Sequence, residues 1–486
     1  MLRLLERGLM HMPKPKSKLS DKLVLKREST WNRMDPKKRK TVFSYCEEYA
    51  RFLSACKTER EVVRYLVRRA EKAGFKPLVM AKNVKPGDRF YAINKEKNVA
   101  LVVAGKLGPA EGFHVVCAHI DSPRVDLKQK PLYEDTDASI ALLKTHYYGG
   151  VKKYQWTNVP LALHGRVLKG DGEVLDIVIG EKEEDPIFLI PDLLPHLARR
   201  LQGDRKLFDG IKGEEMNIVV AGIPLDGNSD EKEKIKLAVL KHLNNIYGII
   251  EEDLISAEIE MVPAHMARDV GFDRSIMGGY GHDDRVCAYT ELTAIEEVKI
   301  PLRTAVAVFY DKEEIGSEGP TGAQSAFLEL FLAEYTRAAD PKSDYTTFKL
   351  AMGKSRALSA DVDAGLDPSF KDVHEPLNAA RISHGVCVTK FTGSGGKGGS
   401  NDANAEFVGY VRTIFNKAGV AWQSAELGKV DEGGGGTVAK YLAHHNMDVI
   451  DVGPPLLSMH SPYELVSKVD VYHSYLAYKA FLAATE

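Results

Sequence analysis

His119 follows the apolar residues Phe113, Val115, Val116, Cys117 and Ala118, and Ile120, Asp121, Ser122 and Pro123 come directly after it. This pattern predicts a buried strand that delivers an imidazole at its exposed end, with Asp121 two positions on and on the same face. A metal-ligating histidine usually donates its other ring N–H to an acid, so His119 and Asp121 together have the chemistry of a ligand and its holder. Singly, such a histidine is also an ordinary polar or core residue.

Four further clusters of acids or histidine lie downstream at predicted element ends. Gly281-His-Asp-Asp-Arg285 opens a helical pattern through Val286, Tyr289, Leu292, Ile295 and Val298, where an aspartate is either a cap or a ligand. The apolar strand Thr304 to Tyr310 runs into Asp311-Lys-Glu-Glu-Ile-Gly-Ser317. Neighbouring side chains at a strand end diverge, so of Glu313 and Glu314 one can hold a metal while the other faces the water. Leu358-Ser-Ala-Asp361 ends a short strand-like segment. Met447 to Val452 reads as a strand broken by Gly453-Pro-Pro455, with His460 beyond it. Ser461, Pro462 and Glu464 read as the cap, first position and third-position acid of the last helix.

Parallel α/β sheets collect their chemistry at the carboxyl ends of strands, where each of these candidates falls. The mixture of two histidines with Asp283, Glu314 and Asp361 suits zinc, manganese or cobalt. Three carboxylates in one cleft repel one another and raise their own pKa values unless cations are present. Two divalent ions and a hydroxide between them would balance the charge.

In order and over most of the chain, Cys117-Ala-His-Ile-Asp-Ser-Pro123, Gly281-His-Asp-Asp-Arg285, Asp311-Lys-Glu-Glu-Ile-Gly-Ser317, Ser359-Ala-Asp361 and Ser458-Met-His-Ser461 resemble the motifs of the aspartyl aminopeptidase and vacuolar aminopeptidase I family of dinuclear metallopeptidases. The resemblance implies a catalytic core with a mixed, largely parallel sheet flanked by helices. It implies that Asp283 bridges two metals, with His119 and Asp361 completing one site and Glu314 and His460 the other. Glu313 would be the general acid/base and Asp121 would hold His119. The implied reaction is hydrolysis of the N-terminal peptide bond of unblocked short peptides by a two-metal-bound hydroxide. Related sites cleave other amides, so an amidase or deacylase is the neighbouring reading, and a non-catalytic assembly protein with the inherited fold is the third.

The chain also departs from the family pattern. Asp361 is followed by Val362, Asp363, Ala364 and Gly365 where many relatives carry histidines. Lys397 is the one cation in the glycine-rich stretch Thr392 to Ser400, and either pairs with an acidic substrate side chain or sits in solvent on a flexible loop. The preferred N-terminal residue is therefore acidic (Asp or Glu) or neutral apolar. Gly433 to Gly436, including Gly435, permit close backbone approach to a substrate or a tight turn. The runs Lys37 to Lys40 and Glu181 to Asp185 read as solvated faces.

More than a hundred residues separate His119 from Asp283, too many for a loop. We expect segments 1–123 and 269–486 to form the catalytic domain and 124–268 to be an inserted β-rich domain, with strands at Leu161 to Val167 and Val174 to Ile179 and helices near Leu193 to Leu201 and Lys232 to Leu243. The first segment should carry helices between Trp31 and Lys72. The family resemblance makes the insert a dimerisation domain within a tetrahedral dodecamer, with His196 the candidate that reaches a neighbouring active site; His196 also suits a residue covering a helix start.

A net charge of -2 argues against nucleic acid as a partner. Five scattered cysteines, an odd number without metal spacing, point to a reducing cytoplasm. No apolar run approaches the ~20 residues of a membrane span, and Met1 to Met12, broken by Arg3, Glu6 and Arg7, does not read as a secretory signal.

Overall fold

The computed structural model describes residues 19–25, 28–227 and 231–485. The segment Met1 to Met12, read above for a signal, lies outside them. Among the described residues no helix is long and apolar enough to cross a membrane.

The strand Phe113–His119 is buried along its whole length and sits near the middle of a nine-stranded sheet. Thr304–Tyr310 and Arg356–Ser359 flank it in parallel, and Asp448–Gly453 follows in parallel beyond Arg356–Ser359. Antiparallel pairing enters further out, between Asn98–Val103 and Thr304–Tyr310 and between Val386–Thr389 and Asp448–Gly453. Val116 and Ala118 face one apolar cluster, shared with helices Pro36–Ala55, His282–Glu297 and Lys468–Leu482. Phe113, Val115 and Cys117 face another, shared with helices Phe327–Ala339 and Tyr345–Gly353. Coverage on both sides is why these strands are continuously apolar rather than alternating. The architecture is the expected largely parallel, helix-flanked sheet with a β-rich addition.

That addition is a six-stranded antiparallel sheet in the order Val174–Ile179, Leu161–Leu168, Glu258–Pro263, Arg124–Asp135, Ile140–Tyr148, Ile218–Ala221. It has its own apolar core, which includes Trp156, Leu161, Met216 and Met261. Helices Pro195–Leu201 and Lys234–Tyr247 accompany it.

The two parts are locked together by charge. Helix Glu59–Lys72 begins with a capping box in which Glu61 Oε2 accepts from the Thr58 N–H at 3.1 Å, an arrangement whose loss costs about 1 kcal/mol. The second oxygen of Glu61 binds His164 Nδ1 at 2.7 Å, and His164 Nε2 reaches Glu181 at 2.9 Å. Buried Lys57 also donates to Glu181, at 2.6 Å. Glu181 is therefore not part of a solvated face, as its acidic run suggested; it is the insert's anchor on the core.

A third sheet corrects the expectation for the C-terminal cap. Glu464–Ser467 is a strand, antiparallel to Ile276–Gly279 and to Pro455–Leu457, and the last helix starts only at Lys468. The Ser-Pro-x-Glu spacing imitates a helix start, but Glu464 is committed to two backbone N–H groups of the site described next.

Candidate metal centre

Strand ends supply most of the site. His119 is the last residue of its strand, Asp361 lies just past Arg356–Ser359, and Asp283 opens helix His282–Glu297. Glu313 and Glu314 do not continue a strand pleat, as anticipated, but occupy a single 3-10 turn, Glu313–Ile315, entered through Lys312 at φ 66° and left through Gly316 at φ 91°. A turn leaves its first N–H groups without internal partners. Here Asp121 accepts them: Glu313 N–H donates to Oδ1 at 3.1 Å and Glu314 N–H to Oδ2 at 3.2 Å.

Both histidines aim Nε2 at one carboxylate. His119 Nε2 is 3.2 Å from Asp283 Oδ1, and His460 Nε2 is 3.1 Å from Asp283 Oδ2 and 3.5 Å from Glu314 Oε2. The opposite ring nitrogens are held: His119 Nδ1 lies 3.0 Å from the Asp121 carbonyl and 3.2 Å from its Oδ1, and His460 Nδ1 lies 2.9 Å from the Gly150 carbonyl. Each ring thus donates Nδ1–H to a carbonyl and turns Nε2 to Asp283, where a proton makes the hydrogen bond and where a bound cation would take that proton's place. Ligand-type atoms of His119, Asp283 and Glu314 come within 4.8 Å of one another, and so do those of His119, Asp284 and Asp361.

The donor set fits divalent cations. Burial raises the carboxyls of Glu314 and Asp361, with nearby acids adding to the shift and His119 opposing it. Burial also opposes ionisation of Asp283, but hydrogen bonds from His119 and His460 outweigh it and hold this carboxyl below the usual range. Glu314 Oε1 and Asp284 Oδ1 are buried with no hydrogen-bond partner. Orphaned oxygens among crowded carboxylates are what bound cations would satisfy. Burial also dominates at Glu313; the charges of Asp121 and Asp283 reinforce it, those of His119 and His460 oppose it, and the carboxyl is pushed up to about 7.

His119, Asp283, Glu313, Glu314, Asp361 and His460 line one cleft of about 440 Å³, together with Gly435. Two other anticipated residues are elsewhere. Lys397 lies over the Phe391 ring and donates to Asp402 at 3.1 Å, beside a separate groove. Asp402 is shared with Lys390, which donates to its other oxygen at 2.8 Å. His196 is exposed on helix Pro195–Leu201, away from this cleft. The cleft instead contains Lys440, whose only signal in the sequence is that it follows the glycine run by a few residues. Three more residues, none of them expected at the site, belong to it. Asp284 bears the second carboxylate at the helix start, and its adjacency to Asp283 was the available signal. Glu464 accepts the backbone N–H of Asp283 at 3.0 Å and that of His460 at 2.7 Å. Tyr148 donates its hydroxyl to Asp121 Oδ2 at 2.8 Å.

Comparison with known proteins agrees with this geometry. The model of the family described as aminopeptidase I zinc metalloprotease (M18) matches residues 52–482. A probable M18 family aminopeptidase 1 of Clostridium acetobutylicum is 47% identical over 466 residues, covering 95% of this chain and 99% of its own. The crystal structure of an M18 aminopeptidase from Thermotoga maritima superposes with a TM-score of 0.90 at 44% identity, over 95% of this chain and 100% of that one. The mApe1 dodecamer of Saccharomyces cerevisiae, at 21% identity and a TM-score of 0.72 over 90% of this chain and 95% of that one, shares the fold. With its motif-bearing cleft and a family match spanning nearly its whole length, this chain belongs to the aminopeptidase I zinc metalloprotease family, M18, and is a zinc aminopeptidase.

Proposed function

We propose that the enzyme removes the N-terminal residue of unblocked short peptides at a dinuclear site in which Asp283 is shared, His119 and Asp361 complete one half, and Glu314 and His460 the other. The observation that carries the reading is the convergence of these five side chains and Glu313 on one cleft. When bound, the two ions, zinc or alternatively cobalt or manganese, supply the Lewis acidity that activates water and polarises the scissile carbonyl. Glu313, a carboxyl of the same cleft that this ligand assignment leaves free, would accept the proton of the attacking water and return it to the leaving amine. Asp121 fixes the His119 ring and the backbone of the glutamate turn.

The cleft wall carries Lys440 beside Leu427, Tyr441 and Met459. This supports either preference anticipated above: an acidic residue paired with Lys440, or a neutral apolar one against the remaining wall. A panel of aminoacyl chromogenic substrates, free and N-acetylated, tests the reading after chelation and metal add-back. Release of the chromophore from free but not acetylated substrates is expected; release of acetate from the acetylated ones would favour a deacylase.

Assembly is part of the proposal. Leu194, Leu197, Leu201 and Phe208 are exposed apolar residues of the insert, which supports a homo-oligomer, and the dodecamer seen for the yeast relative makes a tetrahedral dodecamer the arrangement to test by light scattering. His196, on the same helix, is then the candidate to reach a neighbour's cleft. The five cysteines are buried and unpaired, which supports a cytoplasmic setting.

A further inference from the structure

Strands Arg124–Asp135 and Ile140–Tyr148 pair antiparallel, so that Arg124 and Tyr148 face each other at the end of the insert sheet nearest the metal centre. Tyr148, Gly149 and Gly150 each meet the site there. The Tyr148 hydroxyl binds Asp121 Oδ2 at 2.8 Å. Gly149, at φ 75°, packs so closely that a Cβ would stand 3.3 Å from Glu314 Cβ and Oε2. The Gly150 carbonyl takes the His460 Nδ1–H at 2.9 Å, and a Cβ on Gly150 would stand 3.1 Å from that same nitrogen.

We propose that Tyr148–Gly150 is a positioning segment through which the insert sheet sets the metal affinity of the core, Tyr148 acting on His119 by way of Asp121 and Gly150 acting directly on His460. This rests on the dinuclear reading above. The Asp121 carboxylate accepts three hydrogen bonds, from the Glu313 N–H at Oδ1 and from the Glu314 N–H and the Tyr148 hydroxyl at Oδ2, and its Oδ1 also lies 3.2 Å from the His119 Nδ1 whose N–H goes to the Asp121 carbonyl. The tyrosine is the only one of these donors that comes from the insert. Without it, the carboxylate can rotate, and His119 and the glutamate turn lose their common reference. Partners of this kind outside the ligand shell typically govern metal affinity by 10–100-fold.

The tyrosine is itself fixed. The Arg124 guanidinium lies over its ring, 3.9 Å from the centroid, and Arg124 in turn binds Asp126 at 2.8 Å and approaches Glu260 at 3.3 Å and Glu59 at 3.7 Å. Glu59 opens helix Glu59–Lys72 of the core and is fully buried. Movement of the insert against that helix therefore reaches the metal ligands through a short run of named contacts.

The test uses the full-length zinc enzyme with Tyr148→Phe and Gly150→Ala. Phenylalanine keeps the ring on Arg124 and removes only the hydroxyl; alanine keeps the carbonyl and crowds His460. Zinc release to a chromophoric chelator, the melting temperature with and without zinc, and kcat and KM at limiting and saturating zinc are measured for each. We expect Tyr148→Phe to bind zinc about 10-fold more weakly, to show a smaller zinc-induced rise in melting temperature, and to recover kcat in excess zinc with KM within about twofold of wild type. Gly150→Ala should release one of its two metal equivalents first. Tyr148→Phe that melts lower but keeps wild-type zinc affinity would show a merely structural role and overturn the proposal. So would unchanged zinc release in both variants. Wild-type protein that takes up no zinc would instead overturn the dinuclear reading, and this inference with it.

Discussion

His119 and His460, which reach the cleft from different sheets, grip opposite oxygens of a single carboxylate, at 3.2 Å from Asp283 Oδ1 and 3.1 Å from Oδ2. A carboxylate placed between two imidazoles in this way is the one that two ions would share under the proposed reading, and the two halves of the site should then differ in how they fail. Asp283→Ala is expected to leave the chain with almost no bound metal after dialysis. His460→Ala should retain about one equivalent, because the half containing His119 and Asp361 keeps its own side chains. Metal analysis of the dialysed variants reads this directly, and a full complement of metal in Asp283→Ala would rule out bridging.

Glu313 lines the same cleft, but its N–H rather than its carboxylate is engaged by Asp121. Replacing the carboxylate should then remove proton transfer and spare metal binding. Glu313→Gln is expected to lower kcat by about 10²–10⁴-fold, with metal content unchanged. A variant that loses metal as readily as activity would place Glu313 among the ligands.

Glu464 accepts from the backbone N–H groups of both Asp283 and His460. Glutamine can accept at only one of its two terminal atoms, so Glu464→Gln leaves a buried N–H without a partner. The expected cost is about 1–3 kcal/mol of stability, with looser zinc binding because the backbones of two ligands lose a shared anchor. Denaturant unfolding with and without chelator separates the two effects, and wild-type values in both would remove Glu464 from the site.

What could be read from sequence divides along the chain's local grammar. His119, Glu313 and Glu314 follow apolar runs long and continuous enough to mark buried parallel strands, Asp361 follows a shorter one, and those strands deliver them to one cleft. Glu464 was hidden because Ser461, Pro462 and an acid at the right spacing imitate a helix start, while strand pairing with Ile276–Gly279 decides the conformation. Tyr148 and Gly150 carried no local signal at all: their partners Asp121 and His460 lie 27 and 310 positions away in sequence, and only the folded insert brings them in. Lys397 stood out as a substrate-binding candidate because it is the one cation among the glycines, yet it lies beside a groove other than the metal cleft and pairs with Asp402, five residues on.

The lock between insert and core carries a pH signature. Burial pushes the His164 imidazole down, but its hydrogen bonds to Glu181 and Glu61 prevail and raise it above its ordinary 6.5. Glu61 is buried too, yet the His164 contact and the backbone N–H groups of Lys57 and Thr58 lower it below its ordinary 4.5. A raised histidine favours the folded state while protonated, so its contribution is complete below about pH 6.5 and disappears as pH rises through the folded value. The lowered glutamate contributes above about pH 4.5 and is lost as pH falls through its folded value. The lock should therefore be strongest between these limits. His164→Gln, which cannot carry the charge, is expected to melt well below wild type near pH 6, with the gap narrowing steadily toward pH 9. Melting temperatures of the two zinc-loaded proteins across this range check it. A gap that stays constant with pH would mean that His164 joins the insert to the core as a neutral hydrogen-bonding ring, with its charge playing no part.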